Sequence, residues 1–270
     1  MSNPSPPLRH PLDATAFGLM LLLTMLWGLQ QVAIKLALHG ISPITQAGLR
    51  SVVAALLLYA WARARGIALW HPADARDGTL RAGLACGALF AGEFVFIYSG
   101  LAHTTASRMV VFVYLAPILT ALGLAWLVPG EKLAPLQWTG VFTAFAGLLL
   151  AFADGFAAPG RSTLLGDTFG AIAAVLWAAT TVLVRKSSLA QAKAEKTLFY
   201  QLGVSALLLP LVALAAGEPG VIRLDAVVIA SLVFQSAVVA FASYLAWFWL
   251  LTRYLAGRLP GHTTLLITAE

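Results

Sequence analysis

Charge is what this sequence has least of. Only 28 of its 270 residues are Lys, Arg, Asp or Glu, 10% in all, where a water-soluble domain carries about 25%. A folded surface in water cannot be covered with so few. Cysteine is nearly absent too: the single Cys86 excludes an internal disulfide and leaves no thiolate cluster for a metal. The five histidines, His10, His39, His71, His103 and His262, lie at or near the ends of apolar runs. No His-Glu-x-x-His, Gly-x-Ser-x-Gly or P-loop pattern occurs, which argues against a hydrolase, a metalloenzyme or a nucleotide-driven pump. No cofactor or metal is expected. The net charge of +6 comes without a basic stripe interleaved with polar residues, so nucleic acid is not an expected partner.

What is there in quantity is apolar. Sixty per cent of the residues are hydrophobic, with a mean hydropathy of +0.86. They form long continuous runs and not the alternation of a β-barrel. This is the pattern of an all-α polytopic membrane protein whose first partner is the lipid bilayer. Eight spans are predicted: Ala14 to Leu38, Thr45 to Trp61, Leu80 to Leu101, Thr105 to Leu127, Pro135 to Phe152, Leu164 to Val184, Thr197 to Ala216 and Asp225 to Leu251. Turn-forming sequences mark the joints, among them His39-Gly40-Ile41-Ser42-Pro43 and Glu218-Pro219-Gly220. Residues 1–13 read as a polar tail. The first apolar run carries no clear cleavage site and reads as a span, not a removed signal.

The sequence also repeats. Leu26-Trp27-Gly28-Leu29-Gln30-Gln31-Val32-Ala33-Ile34-Lys35 aligns with Leu176-Trp177-Ala178-Ala179-Thr180-Thr181-Val182-Leu183-Val184-Arg185, and Ala106-Ser107-Arg108-Met109 with Ala256-Gly257-Arg258-Leu259. Both pairs are 150 residues apart. An odd number of spans per copy inverts the second copy in the membrane, an arrangement typical of secondary transporters. Lys35 and Arg185 are then equivalent in sequence but lie on opposite faces. Lysine and arginine crowd the loops on one side (Arg63, Arg65, Arg76, Arg81, Lys186, Lys193, Lys196), so the positive-inside rule expects a cytoplasmic N-terminus.

Several residues stand out for chemistry. Glu93 lies mid-span in the third helix, where a carboxylate costs roughly 2.5–3.5 kcal/mol unless it faces the interior or a wet cavity. It is a candidate for proton coupling or substrate contact, against the alternative of a protonated carboxyl bonded to a neighbouring helix. Trp27, Gln31 and Lys35 share a helical face, and Trp177, Thr181 and Arg185 repeat it. Trp27, Gln30, Gln31, Trp177 and Thr181 are cavity candidates, while Lys35 and Arg185 read as interfacial anchors. Tyr98, Tyr114, Ser243, Tyr244 and Trp247 complete the set, Ser243 being the repeat equivalent of Glu93. Tyr244, Trp247 and Phe248 are expected to share a face. Pro117 should kink the fourth span and is a hinge candidate. Arg108 could hold an anionic group or satisfy loop carbonyls, and Asp167 reads as a helix cap. Arg50 lies within a span. Stripes of small residues (Gly83, Gly87, Ala91; Gly166, Gly170, Ala174, Ala178) should let helices approach closely.

One stretch resembles a known family. Ala91-Gly92-Glu93-Phe94-Val95-Phe96-Ile97-Tyr98-Ser99-Gly100-Leu101 is followed by Thr104-Thr105-Ala106-Ser107-Arg108-Met109-Val110-Val111-Phe112-Val113-Tyr114-Leu115-Ala116-Pro117, then Pro129-Gly130-Glu131-Lys132 and Gln137-Trp138-Thr139-Gly140. The pattern is similar to EamA-type transporters of the drug/metabolite transporter superfamily. The resemblance implies ten helices in two inverted five-helix units around a central cavity. It also implies movement, often export, of small metabolites such as amino acids, with a bacterial inner membrane as the expected location. The expected organisation is a first unit over 14–152, a connecting loop over 153–163, a second unit over 164–259 holding three helices, and a tail over 260–270. That tail, Pro260 to Glu270, departs from the family pattern. About eight of the ten helices are therefore expected, and an inactive remnant of a transporter stands as the alternative function. An intramembrane enzyme is a distant third, because Glu93 has no evident catalytic partner in the sequence.

Overall fold

The computed structural model describes residues 13–76, 78–128, 134–151, 153 and 160–250. The tail over 260–270, and Arg258 with it, lies outside them. The described residues form a bundle of long helices: α1 (Ala14–Ala37), α2 (Pro43–Ala64), α3 (Thr79–His103), α4 (Ala106–Val113), α5 (Ala116–Leu127), α6 (Pro135–Ala151), α7 (Arg161–Lys186), α8 (Ala194–Ala215), α9 (Ala226–Val233) and α10 (Tyr244–Leu250). A π-helical segment, Phe234–Ser243, joins α9 to α10 into one span. Among the described residues, seven helical spans are long and apolar enough to cross a bilayer, and the shorter α6 supplies an eighth apolar helix. All eight expected segments are helical over their described residues, seven of them at spanning length. The second is longer than expected, because Pro43 starts it at a position where the missing N–H costs nothing.

Pro117 does not act as an expected mid-helix kink. The fourth span is interrupted at Tyr114 and Leu115, and Pro117 sits in the first turn of α5. The proline starts the second half, so the hinge candidate is a helix junction.

The repeat is visible in the element positions. The first three spans begin at residues 14, 43 and 79, and their counterparts begin at 161, 194 and 226. Packing respects the exchange: α3 lies on α7 while α1 lies on α9 and the π segment, α3 lies on α8 while α2 lies on the π segment, and α2 lies on its own counterpart α8. The C-terminal end of α1 sits at the same side of the bundle as the N-terminal end of α7. Lys35 Nζ donates to the carbonyls of Leu101 (2.7 Å) and Thr104 (2.6 Å), and Thr104 Oγ1 donates to Asp167 in α7. Equivalent helices thus run in opposite directions.

Small residues set the approach of these helices. A Cβ on Gly83 would lie 2.5 Å from the Tyr200 ring, and one on Gly87 2.5 Å from the Tyr200 carbonyl. A Cβ on Gly166 would meet the Gly100 carbonyl at 2.8 Å. The expected stripes are therefore contact lines of α3 with α8 and of α7 with α3.

The two loop faces are tied across the repeats. On one, Glu218 from the loop after α8 caps the start of α2. Its carboxylate accepts from Ile44 N (2.9 Å), Thr45 N (2.8 Å) and Ser42 Oγ (2.9 Å). An acceptor anion satisfies the free N–H groups of a helix start and suits its dipole. Gly40 is needed beside it, since a Cβ would lie 2.3 Å from the Arg223 carbonyl. On the other face, Lys196 Nζ pairs with Asp74 at 2.8 Å.

A pH-dependent contact lies on the first of these faces. His39 places Nδ1 2.7 Å from the Leu36 carbonyl and Nε2 2.8 Å from Asp225 Oδ2. Both partners can only accept, so both ring nitrogens donate and the imidazolium is the form that fits. The hydrogen bond to Asp225, then that to Leu36, raises the His39 pKa above its ordinary 6.5. The His39 and Val228 hydrogen bonds lower that of Asp225 below 3.8. The histidine's contribution is full below about pH 6.5 and is lost as pH rises through its raised value. The aspartate's is full above about pH 3.8 and is lost as pH falls through its lowered value. The clasp is therefore complete between those limits. NMR titration of His39 should give a pKa above 6.5 that falls toward the ordinary value in Asp225→Asn, where the Leu36 bond remains; an unshifted histidine in the parent chain would exclude the contact.

Candidate functional site

Glu93 lies fourteen residues into α3, about 21 Å along the helix at 1.5 Å per residue. It is only 5% exposed, and its Oε2 has no hydrogen-bond partner among the described residues. The expectation that it faces the interior holds. Of the alternative, a protonated carboxyl bonded to a neighbouring helix, Oε2 supplies no such bond among the described residues. Its electrostatic neighbour is a residue that sequence reasoning passed over: Arg50, in α2, which is completely buried and interacts with the charge of Glu93. An intramembrane arginine is by default a functional-site candidate. Its position inside a predicted span carried that signal.

Around Arg50 the helices place a box of rings. Its guanidinium stacks over Phe94 at 3.9 Å, with Tyr244 at 5.9 Å. Phe94 packs on Phe90 (4.7 Å between centroids) and on Tyr98 (6.1 Å), and Phe90 packs on Tyr244 (6.3 Å). Cation–ring contacts of this kind partly compensate a guanidinium that has left water. Trp27 closes the α1 side. Its indole N–H donates to Ser243 Oγ at 2.9 Å, and its ring lies edge-on to Tyr244 and Trp247 at 6.0 and 5.8 Å. The structure thus unites Trp27, Glu93, Tyr98, Ser243, Tyr244 and Trp247 from the predicted set. The side chain of Phe248 lies outside the described residues.

The second residue missed is Gln235. It is fully buried in the π segment, and its Oε1 accepts from the Tyr98 hydroxyl at 2.7 Å. Its Nε2 has no partner among the described residues. Its only sequence signal is a lone amide in an apolar run. The π winding that sets its facing is not readable from a 3.6-residue period, and such segments occur often at functional sites. Gln46, one helical turn before Arg50, is equally buried, with no partner on Oε1 among the described residues. Gln30 and Gln31 are buried in α1, and Gln31 Oε1 has no partner among the described residues.

Not every candidate joins this box. Tyr114 and Trp177 meet each other at 6.5 Å, where α4 and α7 pack, and Thr181 Oγ1 turns back onto the Trp177 carbonyl. Trp177 and Tyr244 both border the same apolar core. A separate groove of about 400 Å³ opens between Trp61, Glu195, Phe241, Leu245, Ala246 and Trp249. None of the sequence candidates lines it.

Arg108 and Asp167 are corrected by the structure. Asp167 is not the cap of its helix, because α7 starts earlier, at Arg161 after Gly160. Arg108 instead forks onto Asp167, with Nε to Oδ1 at 3.0 Å and a second bond from Nη2 to Oδ2, both side chains being at most 5% exposed. This ion pair locks α4 to α7 at the loop face. The anionic group that Arg108 holds is the protein's own.

Residues 15–153 match the EamA-like transporter family. An uncharacterized transporter of Archaeoglobus fulgidus is 29% identical over 238 residues, covering 87% of this chain and 79% of its own length. The uncharacterized transporter YvbV of Bacillus subtilis is 26% identical over 248 residues, covering 92% of this chain and 79% of its own length. A solved crystal structure superimposes with a TM-score of 0.69 at 21% identity, over 95% of this chain and 87% of that one; that likeness concerns the fold alone. Burial of polar groups at mid-span, apolar helices and these relatives point to transport across a membrane and not to an enzyme. The chain, an integral membrane protein, belongs to the EamA-like transporter family.

Proposed function

We propose that this chain exports small metabolites, such as amino acids or related compounds, by alternating access between its two inverted units. The observation that carries the reading is the polar and aromatic box between α1, α2, α3 and the π segment. There, buried polar atoms of Glu93, Arg50 and Gln235 lack hydrogen-bond partners among the described residues. Unsatisfied groups at membrane depth are costly and are retained where a ligand or a moving proton uses them. Trp27, Tyr98, Tyr244 and Trp247 offer faces for stacking, and Gln31 and Ser243 offer hydrogen bonds. Glu93 is the proton-coupling group. The Tyr114–Leu115 junction, not Pro117 alone, is the flexing point of the fourth span. The N-terminus is cytoplasmic, which puts the Asp74–Lys196 face on the cytoplasmic side of a bacterial inner membrane.

The test is flux. The full chain, reconstituted in proteoliposomes, should exchange a labelled amino acid or aromatic metabolite from a broad panel faster than protein-free vesicles. Trp27→Ala should slow that exchange more than Tyr114→Ala. Absence of flux for every member of the panel would reject the reading.

A further inference from the structure

Two arginines are buried among the described residues, and there one of them is satisfied. Arg108 forks onto Asp167. Arg50, with no exposed surface, has no hydrogen-bond partner on Nε, Nη1 or Nη2 among the described residues. Its flat face is covered by Phe94, and the N–H edge is the part without a hydrogen bond among the described residues. The groups whose charge it meets are Glu93 and the Tyr98 hydroxyl, both on α3, with the Tyr244 ring on the last span. The Tyr98 hydroxyl donates its proton to Gln235 and turns its oxygen toward the guanidinium without meeting hydrogen-bond geometry. An unsatisfied guanidinium inside an aromatic box is built to receive a planar anion, since its parallel N–H bonds match the two oxygens of a carboxylate.

We propose that Arg50 is the anion-recognition residue of this site, binding the carboxylate of a small organic acid whose remainder is aromatic or apolar. The assignment rests on the transport reading of the same site. Phe90, Phe94, Tyr244 and Trp27 hold the apolar remainder, and the arriving carboxylate replaces Glu93 as the counter-charge of Arg50.

The experiment compares three probes of one shape on the purified full chain by isothermal titration: phenylacetate, phenylacetamide and phenethylamine. Phenylacetate should bind at least about tenfold more tightly than the other two, the range that hydrogen bonds to a charged group supply. Arg50→Gln should abolish the preference, and Arg50→Lys, which keeps the charge, should retain part of it. Equal binding of the three probes overturns the proposal, as does a preference that survives Arg50→Gln, or the absence of phenylacetate binding. Counterflow in proteoliposomes separates this inference from the one beneath it. Flux of the amine without the acid leaves transport standing and removes Arg50 from recognition. Arg50-dependent binding of phenylacetate without flux of any probe keeps the assignment and removes transport.

Discussion

Replacing Asp167 by alanine should destabilise the bundle by roughly 3–5 kcal/mol, the cost of leaving a buried charge without its partner. The arginine left behind is Arg108, itself only 4% exposed at the side chain. It would lose both arms of its fork, and Thr104 Oγ1 would lose its acceptor. The damage would spread along the loop face, because Thr104 also ends α3 and receives Lys35 from α1. Unfolding in mixed micelles, followed by circular dichroism, measures the loss. The double replacement Arg108→Met with Asp167→Leu should recover most of it, since apolar residues of similar volume often substitute for a buried pair at little cost. A single replacement costing less than about 1 kcal/mol would show that the pair behaves like an exposed surface bridge.

Glu93→Gln should uncouple transport from protons. With one proton exchanged per substrate, a gradient of one pH unit can drive at most about tenfold accumulation. In the glutamine variant that ratio should fall to about one, while exchange of substrate at equal pH continues. Glutamine keeps the volume and hydrogen-bonding capacity of the side chain but cannot carry the proton. Its place in the core, 5% exposed beside Arg50, is preserved. Accumulation in vesicles with an imposed pH gradient is the measurement. An unchanged ratio in Glu93→Gln would assign coupling elsewhere and leave Glu93 as the counter-charge of Arg50.

The membrane class, the eight spans and the repeat were legible because each rests on local composition. A run of twenty apolar residues has few alternatives to a spanning helix, and a 150-residue match needs no geometry to be seen. Glu93 was legible for the same reason: a carboxylate in such a run is expensive wherever the helix packs. Arg50 carried an equal signal. Its importance was hidden by the lack of a visible partner, since Phe94 and Tyr244 lie 44 and 194 residues away in sequence. Asp167 was misread because a carboxylate near a helix start usually caps it. Only the early start of α7 at Arg161 and the arrival of Arg108 show otherwise.

By itself the sequence determined that this chain lives in a membrane, as repeated units of apolar helices with a carboxylate at mid-span. Those outcomes follow from transfer free energies and helix length, which depend on each segment alone. The tertiary structure decided which polar groups meet. It paired Arg108 with Asp167, left Arg50 without a hydrogen bond among the described residues and stacked on Phe94, and turned Gln235 to Tyr98 through a π-helical register. Those pairings depend on how close the glycine-lined helices approach and on how the last span winds. Both are set by contacts between residues far apart in the chain.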